Sequence, residues 1–513
     1  MSLTLKLPIV DDNPILLAET RAYKINEFIQ NLPFGDPISA ANDLVEELQI
    51  LNSQKVAFAN RLAALELYRP AAYQIYQDLL PHFSKASLPT SSNALHYADA
   101  ATRLWQQISY GYKFALIDLQ TKILQLNNTK SSAQVIQRAI HANKEIALIS
   151  YLTYKAPSYA LWAELHQLYY CGLQHNVEKL PVEETITANN VSTINTVYAQ
   201  ILLLALADPQ HLANQDILRV DSYLSVVAKH AEFRPLGLVD SPLGVFLVAL
   251  DGDKPPTPFL KNRDIPDGNT DMLLLTISLA RVIHLHMKLL ADGMLPNDDS
   301  LPESALTHHA SDLLAYLMKH FGRTPQRVFS RTKKSDGVEL SIGIGTTHHL
   351  IRDISNTFVE PSNKNGAFKP SRWQILNVSA GGYALRKFNT SQADAQVGDI
   401  VAMKDNSGNH WELAVLRWAN INEQNQLDVG LQLISPSAIA VIAKSSESAL
   451  ESEALLLPEL APLKQAASII TTRGLFKTGD TIEINQNNEL KRVQTTKLVE
   501  RTAGFERYEY NLI

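Results

Sequence analysis

Between Leu313 and Ser335 the chain carries Lys319, Arg323, Arg327, Arg331, Lys333 and Lys334 and no acidic residue, although its formal net charge is -6. Arg327 and Arg331 are four apart, so both guanidinium groups face the same way on a helical turn and share a side in an extended stretch. Two planar, permanently charged forks suit phosphate and stack on flat rings. Alone, this spacing is more often that of a solvated basic linker, so it gains meaning only in company. The company is "WQILNVSAGGYAL" at 373–385, where Asn377-x-Ser379-x-Gly381-Gly382 interrupts an apolar strand pattern. A glycine pair there removes cross-strand packing and marks a bulge, a tight turn or a close approach by another group.

Other chemistry-bearing types are poorly spaced. His308-His309 and His348-His349 are adjacent, and His284 and His286 are two apart in a predicted helix, so their rings diverge and no metal is expected. "GIGTTHH" at 343–349 has Gly-x-Gly without a third glycine and without a strand-to-helix setting, and no Walker-type loop occurs. Cys171 lies among tyrosines and leucines in a helical run and reads as a buried core thiol. Nothing argues for catalysis, so the chain is read as no enzyme.

The elements that must position these residues fall into two textures. At 513 residues the chain exceeds one ordinary core, and 45% hydrophobic with 19% charged residues describes a globular protein. Its acidic balance excludes a chain that binds nucleic acid with its whole surface. The single cysteine fits a reducing compartment, the cytoplasm; the run "ILLLALA" at 201–207 is too short to span a bilayer, and the N-terminus lacks a signal layout.

From about 13 to 232 apolar residues recur at helical spacing. Ile38, Ala41, Val45, Leu48 and Leu51 line one face, with Asp36 at the N-cap position. Residues 1–239 are therefore expected as a helical bundle or irregular helical-repeat region offering surface to a protein target. Residues 240–324 continue it as mixed α/β: "LGVFLVALDGDKPP" as a short strand and turn, then helices over "TDMLLLTISLARVIHLHMKLLADG" and "SLPESALTHHASDLLAYLMKHFG". The second has Ser300 and Glu303 at capping-box spacing and stops at Gly322.

After 337 short strands alternate with turns: "GVELSIGIG", "WQILNVSAGGYALRKF", "GDIVAMKD", "HWELAVLRWANI", "LDVGLQLIS" and "AIAVIA". They predict a small antiparallel β domain over 325–445. Beyond a linker-like "KSSESALESEA", residues 446–513 form a second small barrel or an extension of the first. The fold class is α+β multidomain, helical first and β after.

Arg327-x-x-x-Arg331 ahead of a β domain, with Asn377-x-Ser379-x-Gly381-Gly382 within it, resembles the two-part signature of PilZ domains, six-stranded antiparallel barrels that bind cyclic di-GMP. The resemblance covers about 325–445 and extends to a strand bearing Arg417-Trp418 and a following Val-Gly-x-x-Leu strand. The gap from Arg331 to Asn377 is longer than the family's usual one, and Asn stands for the commoner Asp. The resemblance implies that Arg327 and Arg331 grip phosphate and guanine and that Asn377 and Ser379 meet a guanine edge. Gly381 and Gly382 would leave room, with Arg323 an additional candidate. It implies cyclic di-GMP as ligand, no cofactor, and a receptor whose helical half relays the signal to a protein target. The alternative is a helical scaffold with a barrel that binds no nucleotide.

Overall fold

The computed structural model describes residues 3–121, 128–186, 191–260, 270–296, 310–322, 330–355, 370–387, 394–405, 410–445, 451–486 and 489–513. The chain divides into two compact units, Met1–Ala86, Ser92–Pro209 and Asn214–Pro325 against Ser87–Ser91, Gln210–Ala213 and Gln326–Ile513.

The first unit is built on α1 (Ala22–Gln30), α2 (Pro37–Asn52), α3 (Phe58–Ser84), α4 (Ser92–Thr121), α5 (Thr129–Leu152) and α6 (Tyr159–Gln174). A two-stranded ribbon, β1 (Val182–Glu183) with β2 (Val191–Ser192), precedes α7 (Ile194–Leu206) and α8 (Asn214–Val227). The α2 start follows from its sequence: the Asp36 carboxylate accepts from the Ile38 and Ser39 amides and Pro37 sits in the first turn.

Helix α5 is buried along almost its whole length, charged residues included. Arg69 forms a two-pronged pair with Glu184 at 2.7 and 2.9 Å, and Arg138 reaches the same carboxylate at 2.9 Å. Burial alone would raise the Glu184 carboxyl; hydrogen bonding and charge from Arg69, with His141 and Arg138, outweigh it and hold it at about 2.

The unit closes with β3 (Glu232–Pro235), β4 (Val245–Val248), β5 (Thr257–Pro258), β6 (Met272–Leu275), α9 (Ile277–Ala291) and α10 (Ala310–Gly322). Here the sequence expectation needs correction: "MLLL" was assigned to the following helix but forms β6, an inner strand of the sheet β3-β6-β4-β5. Leu273, Leu274 and Leu275 are all buried, and such a run lacks the alternation that would identify a strand. Helix α10 ends at Gly322 as expected, whereas the capping-box residues Ser300 and Glu303 lie outside the described residues.

The second unit contains β7 (Thr332–Lys333), β8 (Gly337–Ile342), α11 (Ile344–Ser355), β9 (Ser371–Ser379), β10 (Gly382–Lys387), β11 (Ile400–Asp405), β12 (Glu412–Ile421) and β13 (Leu427–Ser435). Pairings run β8-β9-β10-β13-β12-β11 and return to β8, a closed antiparallel ring of six strands, with β7 beside β9. Closure leaves the ring without an open edge.

A second closed barrel follows: β14 (Ile439–Ser445), β15 (Glu451–Leu457), β16 (Ser468–Thr471), β17 (Thr481–Gln486), β18 (Glu489–Arg501) and β19 (Glu506–Leu512), in the order β14-β15-β16-β19-β18-β17. The segment "AIAVIA", expected as the sixth strand of the first barrel, is β14 of the second, and the glycine-interrupted segment supplies two strands to the first. The linker-like stretch enters β15 at Glu451. Ile400, Leu413, Val415 and Ile434 of the first barrel pack with Leu455, Leu457, Ile470 and Phe505 of the second, so the two share apolar core. "GIGTTHH" does occupy a strand-to-helix turn, from β8 through Gly343 at φ 93° into α11, contrary to the sequence expectation.

Candidate functional site

Strands β9 and β10 form a hairpin in which Ser379 faces Gly382 across Ala380-Gly381. The interruption in the strand pattern is thus a two-residue turn. A Cβ at Gly382 would stand 1.9 Å from the Leu431 carbonyl oxygen of β13. The missing side chain is therefore required by the barrel's own backbone, before any ligand is considered.

Strand β7 pairs with the far end of β9, Thr332 opposite Val378 and Lys333 opposite Asn377. That register carries Arg331 to the level of Ser379. On the other side, the β12–β13 register slips between Leu416 and Trp418, and this bulge leaves Arg417 unpaired in the ladder. Trp418 lies over Gly430, where an added Cβ would come within 1.8 Å of Nε1 of the indole.

These local features converge on an open hollow of about 270 Å³ lined by Arg331, Asn377, Ser379, Gly381, Gly382, Tyr383, Ala384, Arg417, Trp418, Gly430, Leu431 and Gln432. Five of the seven candidate residues from the sequence, Arg331, Asn377, Ser379, Gly381 and Gly382, meet there; Arg323 and Arg327 lie outside the described residues. The lining holds two guanidinium groups and, among the described residues, no carboxylate. Arg331 is exposed and forms no ion pair or hydrogen bond with another described residue. Arg417 is held: it donates to Gln432 Oε1 at 2.6 Å and pairs with Glu500 of β18.

The Ser379 hydroxyl donates to the Gly382 carbonyl at 3.3 Å, a long bond that an incoming acceptor would replace at little cost. Burial first, then Glu412 and Asp405, pushes the Tyr383 phenol up, so it stays neutral and able to donate. The arrangement can take an anion that also carries a flat ring: guanidinium for charge, Trp418 and Tyr383 as aromatic surface, Asn377 and Ser379 for polar edges.

Sequence reasoning noticed Arg417-Trp418 only as a strand end and missed Tyr383 and Gln432. The available signal was an arginine and a tryptophan side by side in a strand, which alternate faces unless a bulge intervenes. The adjacent histidines also differ from expectation, because His348 and His349 of α11 both approach Glu453 of β15.

Comparison with known proteins covers nearly the whole chain. Residues 23–236 match the family described as "Cyclic-di-GMP receptor FimW, N-terminal domain". Residues 245–366 and 353–439 match its "middle PilZ domain", and 437–513 match the "FimW C-terminal beta-barrel domain". Among curated proteins, the Cyclic-di-GMP receptor FimW of Pseudomonas aeruginosa is 23% identical over 585 aligned positions, covering 99% of this chain and 93% of that protein.

Proposed function

The chain belongs to the PilZ-containing family of cyclic-di-GMP receptors, and from that premise we propose that it is itself a receptor that binds cyclic di-GMP at the β7–β9–β10 hollow. The supporting observation is Arg331: an exposed guanidinium without an acidic partner among the described residues, held beside Asn377 and Ser379 by the β7–β9 pairing. Arg331 and Arg327, with Arg323 upstream, meet phosphate and guanine; Asn377 and Ser379 meet a guanine edge; Trp418 and Tyr383 supply ring contact. A hollow of about 270 Å³ falls below the ~300–1,000 Å³ usual for enclosed small-molecule sites. The nucleotide therefore lies across an open surface. The ligand is bound as a signal, without a cofactor, and the helical half relays its level to a protein target in the cytoplasm. Among the described residues no helix is long and apolar enough to cross a membrane.

Calorimetric titration of the full chain with cyclic di-GMP tests the first part. Saturable heat is expected, weakened by Arg331→Ala and by Ser379→Ala. No heat at micromolar protein, or affinity unchanged in both variants, would leave the non-binding scaffold as the reading. For the relay, capture of a partner by the full chain should differ with and without nucleotide.

A further inference from the structure

In the second unit, outside the lining of the hollow, α11 of the first barrel lies against β14 and β15 of the second. Three donor atoms meet there: one nitrogen each of His348 and His349 and a carboxylate oxygen of Glu453, all within 4.8 Å of one another. The His348 side chain is 2% exposed, and its Nδ1 is buried without a hydrogen-bond partner. That nitrogen stands 3.8 Å from Glu453 Oε1, the same oxygen that His349 Nε2 approaches at 2.9 Å. From these positions we infer that His348, His349 and Glu453 form a binding site for one borderline divalent cation, Zn²⁺ being the best match, which joins α11 to β15.

The bland account is a single hydrogen bond from His349 to Glu453. It leaves the buried Nδ1 of His348 with no hydrogen-bond partner, 3.8 Å from a carboxylate oxygen, a polar atom in conflict with its burial. A cation removes that conflict. The His348 ring is also hydrogen-bonded to the Val441 backbone, an outer contact of the kind that orients metal-binding histidines.

Two imidazole nitrogens with one carboxylate oxygen suit Zn²⁺, Co²⁺, Ni²⁺ or Cu²⁺ and not Mg²⁺ or Ca²⁺, which require oxygen cages. Metal–nitrogen bonds of ~2.0–2.1 Å need the donors somewhat closer than they stand. His349 and Glu453 are 28% and 34% exposed, and a small side-chain movement of either brings it closer to the buried His348. Solvent reaches the metal from that side, leaving room for a water as the remaining ligand. Arg352 is the cation that opposes binding.

The test uses the full chain without an affinity tag, stripped with chelator, then titrated with Co²⁺ followed by visible absorption and displaced by Zn²⁺. One equivalent per chain is expected, with Zn²⁺ raising the melting temperature. His349→Ala and Glu453→Gln, both at partly exposed positions, should each weaken Zn²⁺ by more than the ~10–100-fold typical of losing an outer-shell partner. His410→Ala, at an exposed position, should leave binding unchanged. His348→Asn removes the buried ligand and is read only after circular dichroism shows a folded chain. No saturable uptake by the wild type, or uptake unchanged in both His349→Ala and Glu453→Gln, overturns the inference.

Discussion

The helical unit and the first barrel each place two arginines close together, with opposite outcomes. Around Glu184, Arg69 and Arg138 are 1% exposed and both paired with its carboxylate, so these charges are satisfied by one another inside the fold. In the barrel hollow, Arg417 is tied to Gln432 and Glu500, whereas Arg331 faces solvent with no carboxylate among the described lining residues. Composition alone does not separate a structural guanidinium from one available to a ligand. Burial and the presence of a fixed acid do.

The strongest way to break this contrast is Glu184→Gln. It leaves two buried guanidinium groups facing a neutral amide, and urea denaturation should show a loss of about 3–5 kcal/mol. A loss below about 1 kcal/mol would mean that the buried network is dispensable. The pH dependence has a defined sign. Glu184 is depressed from 4.5 to about 2 in the folded chain, so its contribution is fully present above about pH 4.5 and disappears as pH falls through about 2. The Gln variant should lose that part of the acid sensitivity.

Gly382→Ala comes next. Its Cβ collides with the Leu431 carbonyl, and the barrel should lose about 1–3 kcal/mol in the same measurement. Full stability would show that β10 and β13 can separate without cost. Arg417→Ala breaks a part-exposed pair, 31% and 20% exposed, and should cost about 0–1 kcal/mol. Arg331→Ala should change stability by less than about 0.5 kcal/mol while weakening cyclic di-GMP binding. If it unfolded the barrel instead, Arg331 would belong with Arg69 and Arg138.

Much of the fold was legible because local rules and the tertiary structure agree. Asp36 before Pro37 starts α2, and three-to-four spacing marks the faces that α2 to α8 bury. Short alternating runs mark the strands. The misread segments share a cause. "MLLL" of β6 is an apolar run whose partners β3 and β4 lie upstream, and "AIAVIA" of β14 pairs with the next strand β15 and with the distant β17, so no local pattern says which sheet will accept either.

The candidate site divides along the same line. Arg331, Asn377, Ser379, Gly381 and Gly382 could be named because each lies in a short motif that resembles the PilZ signature. Arg417, Trp418, Tyr383 and Gln432 enter the hollow through ring closure and a bulge in β12, and His348 and His349 meet Glu453 because the second barrel packs against α11. The amino-acid order by itself determined the helical and strand periods, the break in the strand pattern at the glycine pair and the excess of basic residues ahead of the barrel. Tertiary structure alone decided which arginines find acids, which strands belong to which barrel, and why Gly382 admits no side chain. Those outcomes depend on distances between residues tens to hundreds of positions apart, which are set only when strand registers close and the core packs.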